Sequence, residues 1–454
     1  MTIVQVKWQK QKFSVNIDKT QPIRVFQEEL YRLTQVPPER QTILGFKGGK
    51  LSKDKDWDSC GLKENMSIVL IGSADEVPKA PTTVQFVEDV APNEDNADNW
   101  LVDLPCGMVN VGNTCYLNAT VQCLSKVDEL CRALRGLVVI QSQRNASQEL
   151  IMALSQVFIS LHTKPCKGPI VPFDLLQKLR AVNPQFQERT QGGGYCQQDA
   201  EECWSTLLAH CHQVLVSPSL LSMSRFPFGD SVVDFLFGIE LETVDTCLES
   251  HEEAPRRRRE VVRCLKCHIS QNTSHLEQGL KEGLETTIEL HAESLGKSVL
   301  WNRKSRISRL PPYLCVQFVR FFWKATEQVK AKILKNVSFP LRLNMSELVT
   351  DELQQSFTST SNGSLEEDPS RLLDSHYELI AVLTHQGRAA DAGHYVAWVR
   401  QEEKDNNNRS SKWYKLDDDK VSYCTEEDIQ RLSGGGDWHM AYLCFYRQRG
   451  YSIP

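Results

Sequence analysis

The sequence predicts an α+β protein built as two folded units, on three observations. Two alternating strands, one helix and two further strands fit within residues 1–74. Apolar helical spacing then dominates 115–215, and strand alternation takes over from 232 to 446. Between them, 75–100 carries prolines and acids without apolar periodicity, which reads as a flexible acidic linker. A length of 454 residues also exceeds what one ordinary core accommodates, so the division is 1–74, 75–100 and 101–454.

In the first unit, 3–8 and 12–17 alternate about a polar turn, a hairpin pattern. A helix follows over 23–34, with Val25, Leu30 and Leu33 near helical spacing, and Pro37-Pro38 ends it. Residues 42–46 and 67–71 supply the later strands, with Lys47-Gly48-Gly49-Lys50 as a turn. This order in this length resembles the ubiquitin-like β-grasp. The unit closes on Ile71-Gly72-Ser73-Ala74 without a terminal Gly-Gly, so the resemblance implies a docking module and not a conjugated tag.

The second unit reads as helices first: 115–134, 147–162, 173–181 and 199–215. Strands are expected over 232–242, 285–290, 313–322, 377–384, 394–400, 412–416 and 440–446. Two polar stretches interrupt them. Residues 351–375, rich in Ser, Thr, Glu and Asp, read as a mobile insertion, and 402–411 as a hairpin loop. The run Arg256-Arg-Arg-Arg259 follows several acids and reads as a solvated, self-pairing surface loop.

Composition narrows the function. With 52 basic against 58 acidic side chains, the net charge of -6 gives no reason to expect a nucleic acid as partner. No apolar run approaches the ~18 residues that span a bilayer, and the first residues alternate like a strand and lack a signal-peptide core. The fifteen cysteines are scattered without framework spacing and read as reduced thiols of the cytosol or nucleus.

Three separated segments carry chemistry: Asn110-Val-Gly-Asn-Thr-Cys115, Gly393-His394-Tyr395 and Asp417-Asp418-Asp419. A thiol needs a base to become a nucleophile, and the base needs a carboxylate to fix its tautomer. Cys115 opens a predicted helix, where the dipole and free N–H groups favour thiolate, and Asn113-Thr114 offer capping side chains. Those N–H groups, with the Asn110 amide, can bind an oxyanion, and Gly112 permits the tight approach of the loop. His394 stands where a glycine-rich loop enters a strand, with Gly393 keeping space clear for an extended peptide. The acid lies one hairpin further on. Alternation alone does not choose between Asp417 and Asp418.

Together these segments resemble the ubiquitin-specific protease family of deubiquitinases. The cysteine box runs from Gly107 through Cys115, and the histidine box reads Ala392-Gly-His394-Tyr395-Val-Ala-Trp-Val. Gln197-Gln198-Asp199-Ala200 and Leu310-Pro-Pro-Tyr-Leu-Cys-Val-Gln-Phe-Val-Arg320 supply two more blocks in order. The resemblance implies a papain-like domain of thumb, palm and fingers. It also implies Cys115 as nucleophile, His394 as base, Asp417 as orienting acid and Asn110 as oxyanion donor. Gln198, Asp199, Gly393 and Tyr395 become substrate-binding positions, Asp199 against the ubiquitin tail. With the N-terminal unit, it implies docking on the regulatory particle of the 26S proteasome, ubiquitin and ubiquitin chains as substrate, and a monomer when free. Loops at 323–330, 386–392 and 433–439 are then expected to cover the cleft until docking.

The family often carries a zinc site of two Cys-x-x-Cys pairs in its fingers. Here Cys264-Leu-Lys-Cys267 is one pair, Cys247 stands alone, and 298–303 has no cysteine. His268 is adjacent to Cys267, a strained addition to a tetrahedral set. The fingers are therefore expected to be metal-free, and no cofactor is expected.

Overall fold

The computed structural model describes residues 2–8, 11–34, 36, 38, 41–47, 49–51, 57–71, 104–137, 145–216, 231–324, 329–359, 374–388, 392–401, 412–436 and 438–451. The expected linker at 75–100 and loop at 402–411 lie outside these residues. Internal contacts divide the chain into Met1–Asn93 and Glu94–Pro454. Among the described residues no helix is long and apolar enough to cross a membrane.

The first unit is a five-stranded sheet with one helix, Ile23–Thr34. Met66–Ile71 lies central, parallel to Thr2–Trp8, which is antiparallel to Gln11–Ile17, and antiparallel on its other side to Thr42–Phe46. Alternation puts Val4, Val6, Val15, Ile17, Ile68 and Leu70 inside, against Phe26 and Leu30 of the helix. The helix face differs from the expected one. Ile23, Phe26, Gln27, Leu30 and Thr34 are buried, while Val25 and Leu33 are 46% and 40% exposed. The larger Phe26 fixes the rotation of the helix by packing edge-on to Trp57, with ring centroids 5.8 Å apart.

The second unit begins with helices. Cys115–Leu124 and Asp128–Arg135 replace the single helix expected over 115–134, because the chain turns at 125–127. Ala146–His162, Phe173–Val182 and Ala200–Val214 follow as expected. The eight-stranded sheet runs in the order Lys420–Cys424, Trp413–Asp417, His394–Arg400, His376–Gln386, Met440–Gln448, Tyr313–Phe318, Leu265–Cys267, with Arg342–Asn344 added beside His376–Gln386. Its two faces feed two cores. Tyr395, Ala397 and Val399 join the helical core, whereas Val396 and Trp398 turn to the other side. A sheet buried on both faces reads as a continuous apolar run, so its alternation carries little information in sequence.

Several elements depart from expectation. Val232–Phe237 is a helix, capped by Ser231, and only Ile239–Cys247 is a strand. Short apolar runs do not distinguish helix from strand. The arginine run is an exposed edge strand, Arg256–Val262, in a four-stranded sheet with Ile239–Cys247, Lys297–Arg309 and Glu285–Ala292. Its self-pairing is real, since Arg257 and Arg259 both reach Glu242 on the next strand. The insertion starts with a helix, Asp351–Ser359, and 360–373 lies outside the described residues. Not every cysteine is a free thiol. Cys106 and Cys166 are joined, their Cα atoms 5.5 Å apart. The pairing of Gly107 and Val109 with Ile170 brings the two segments within bridging range.

Arg320 ties the sheet to its surroundings. Its guanidinium is fully buried and donates to the carbonyls of Ala441, Ile333, Lys335 and Ser433. Burial lowers its pKa to about 10, which still leaves it charged. Arg320→Met orphans four carbonyls and is expected to cost about 3 kcal/mol, read as a lower urea midpoint.

Candidate active site

The loop before Cys115 is built on the Asn110 side chain. Its Oδ1 accepts from the N–H groups of Gly112 (3.0 Å) and Thr114 (3.1 Å) and from the Thr114 hydroxyl (3.2 Å). Gly112 and Asn113 take φ of 106° and 52°, the left-handed region that favours glycine and asparagine. Thr114 occupies the N-cap position, yet its side chain makes no cap hydrogen bond. Among the described residues no helix N–H donates to the Asn113 side chain either, and its Nδ2 donates to Tyr195 O at 2.9 Å. The side chains therefore leave the first N–H groups of the helix uncovered beside the Cys115 thiol.

His394 starts the strand His394–Arg400, and Asp417 ends the strand Trp413–Asp417 two places away in the sheet from His376–Gln386. His394 Nε2 lies 2.6 Å from Asp417 Oδ1. The Asp417 bond, followed by a hydrogen bond with Cys115, raises the imidazole to about 10 against the opposing effect of burial. With Nε2 on the carboxylate, Nδ1 is the ring nitrogen left for the thiol. His394 and then Lys415, 2.8 Å from Oδ2, hold the Asp417 carboxyl far below its usual range despite partial burial.

Asp418 has a different place. It adopts φ 55° in the turn between Trp413–Asp417 and Lys420–Cys424, and its carboxylate, though near the imidazole, is engaged by amides of the cysteine segment. Asp418 Oδ2 accepts from Asn110 Nδ2 at 2.9 Å and Oδ1 from Asn118 Nδ2 at 2.8 Å. The turn is pinned further by Met108 N donating to Asp418 O, 2.8 Å. Gly107 is required there, since a Cβ would sit 2.5 Å from Asp419 O. One Asn110 amide hydrogen is thus committed, and the other has no partner among the described residues.

The ion pair gives a pH signature with a definite sign. The folded His394 value lies above its ordinary 6.5, so its stabilisation is complete below that pH and fades as pH rises through about 10. The depressed Asp417 contributes above its ordinary 3.8 and is lost in stronger acid. The difference in Tm between wild type and Asp417→Asn is therefore expected to be largest between pH 4 and 6.5 and to shrink toward pH 10.

Gln197, adjacent to the chosen Gln198 and Asp199, is the residue that sequence reasoning missed. Its Nε2 lies 3.5 Å from Cys115 Sγ, and its Oε1 accepts from Gly393 N at 2.9 Å. It bridges the cysteine and histidine segments directly. Its place in a Gln-Gln pair was visible, but which glutamine faces the thiol depends on the turn into the next helix. Asp199 caps that helix, accepting from Glu201 N (2.9 Å), and also accepts from the Tyr442 hydroxyl (2.7 Å). Gln198 and Tyr395 are buried, 5% and 1% exposed, so their side chains pack behind the site in this structure. Gly393 is exposed.

The finger cysteines do not converge. Cys247 packs with Val299 and Trp301, Cys267 lies in the core below the sheet, and the Cys264 thiol faces Cys315 Sγ at 3.6 Å. Among the described residues, His394, Asp417 and Asp418 are the metal-type side chains grouped closely. Their hydrogen bonds already account for that grouping.

A buried thiol beside an imidazole held by a carboxylate, where a helical half meets a sheet, defines a cysteine-type hydrolase. The model of the family described as "Ubiquitin carboxyl-terminal hydrolase" matches residues 106–446, and the chain belongs to that family. Residues 4–75 match the model of the ubiquitin family. The chain is 40% identical to Ubiquitin carboxyl-terminal hydrolase 6 of Arabidopsis thaliana, covering all of both chains. It is 34% identical to Ubiquitin carboxyl-terminal hydrolase 14 of Caenorhabditis elegans, over 99% of this chain and 94% of that one. It is also 34% identical to Ubiquitin carboxyl-terminal hydrolase 6 of Schizosaccharomyces pombe, over 99% of each. The protein is thus a cysteine-type deubiquitinase of α+β fold, with an N-terminal ubiquitin-like domain and ubiquitin as substrate.

Proposed function

We propose that Cys115 is the nucleophile, His394 the general base, Asp417 its orienting acid and Asn110 an oxyanion donor. The 2.6 Å contact between His394 and Asp417, with Cys115 on the other ring nitrogen, carries this reading. The thiolate attacks the carbonyl of the C-terminal glycine of ubiquitin, and the oxyanion is met by the helix N–H groups and Asn110. Imidazolium donates its proton to the departing lysine amine as the thioester forms. Neutral His394 then takes a proton from water, whose oxygen attacks the thioester and releases ubiquitin. Asp199 and Gly393 border the path of the tail, with Gln198 and Tyr395 packed behind it.

The enzyme trims ubiquitin from substrates held on the 26S proteasome, docking through the domain of 1–74 and tethered by the linker of 75–100 to the catalytic 101–454. Docking moves the loops at 323–330, 386–392 and 433–439 off the cleft. Exposed aromatic side chains on two of them, Trp323 at 59% and Trp438 at 61%, support a surface that meets a partner. The free enzyme is a monomer of the cytosol and nucleus. The test uses a ubiquitin C-terminal fluorogenic amide with and without purified proteasome. Activity is expected to rise at least about tenfold on docking, and deletion of 1–74 to abolish both the rise and co-sedimentation. Full activity without proteasome sinks the covered-cleft part, and co-sedimentation of the deletion places docking elsewhere.

A further inference from the structure

We infer that the buried pair Lys332–His385 positions His394 and Gly393 for the reaction, a reading that rests on the proposed role of His394. Lys332 ends the hairpin strand Val329–Lys332 and is only 7% exposed. Its Nζ lies 2.9 Å from His385 Nδ1 and donates to His385 O at 2.7 Å and Gly387 O at 3.0 Å. An ammonium has hydrogens to donate to each of these acceptors. An ammonium carries no lone pair, so Nδ1 of His385 must accept and the ring proton must reside on Nε2. Burial and then the adjacent charge push His385 down to about 3, which keeps the ring neutral.

That tautomer aims an N–H at the active-site loop. His385 is fully buried, and its Nε2 has no hydrogen-bond partner among the described residues. A Cβ on Gly393 would sit 2.3 Å from this nitrogen and 2.3 Å from Gln386 O. Gly393 is therefore glycine because it rests on His385, a reason different from the open groove expected from sequence. The carbonyls that Lys332 holds flank Gln386, the residue paired across the sheet with His394. From Gly393 the contact continues through its N–H to Gln197 and on to Cys115 Sγ. The pair thus fixes both ends of the loop that delivers the base while touching neither base nor thiol. Burying an ammonium is a costly way to gain stability alone, which favours a role in geometry.

The first measurement is made on the wild-type protein by ¹⁵N NMR with labelled histidine, with His385 picked out through the single Thr384-His385 dipeptide. Bare Nδ1, protonated Nε2 and no titration between pH 5 and 8 are expected; a protonated Nδ1 or a titrating ring overturns the pair. The second compares kinetics on the ubiquitin amide. His385→Phe keeps the ring contacts with Phe321 and Tyr395 but loses the acceptor, and His385→Asn keeps an acceptor near Nδ1. His385→Phe and Lys332→Met are expected to lower kcat about tenfold or more with KM within about twofold, and His385→Asn to recover most of the loss. Full kcat in His385→Phe, or the reverse order, overturns the positioning role. Wild-type protein equal to Cys115→Ala would instead remove the proposed nucleophile, whatever His385 shows.

Discussion

Cys115→Ala is expected to lower hydrolysis of a ubiquitin C-terminal amide by on the order of 10⁴ or more, while ubiquitin still binds. The thiol begins a helix whose capping side chain is turned elsewhere, and it faces an imidazole held by a carboxylate. The buried thiols of the helical core are poor rivals for the role. Cys123, Cys203 and Cys211 lie buried in the helical core, where burial pushes their thiols far toward the neutral form. Steady-state rates and a binding isotherm on the same preparation check both halves. Undiminished turnover removes Cys115 from the mechanism, and loss of binding points to a collapsed cleft instead.

Asp417→Asn and Asp418→Asn are expected to separate two functions that neighbouring carboxylates perform. Asp417→Asn leaves the imidazole in the wrong tautomer and should lower kcat by on the order of 10³, with an altered pH profile. Asp418→Asn keeps the His394 partner but disturbs the two amides it orients, Asn110 and Asn118. The loss of an ordered oxyanion donor is worth on the order of 10² in kcat, with the pH profile unchanged. Identical pH profiles for both variants contradict this division of labour.

Much of the site was legible before any coordinates. Cys115, His394 and Asn110 stand in motifs whose residue types are dictated by the chemistry, and chemistry is local to a residue. The choice of Asp417 over Asp418 was not legible. It depends on a left-handed turn at Asp418 and on the cysteine loop lying where that carboxylate can bind it. Gln197 escaped for the same reason: its neighbour Gln198 carries the same side chain, and only the start of Ala200–Val214 decides which one turns inward.

The fold divides along a similar line. The small unit was readable because its sheet is buried on one face, so alternation reports the core directly. The long strand Lys297–Arg309 and the helix Val232–Phe237 were not, since one is polar on an exposed face and the other is a short run apolar but for Asp234. The sequence by itself determined the ubiquitin-like and hydrolase matches and pointed to the proposed nucleophile and base, because periodicity and reactive side chains are written residue by residue. Only tertiary structure set the His394–Asp417 contact, the Gln197 bridge, the Cys106–Cys166 link and the Lys332–His385 pair. Each is a contact between segments far apart in the chain, fixed by how sheet and helices pack and not by any local preference.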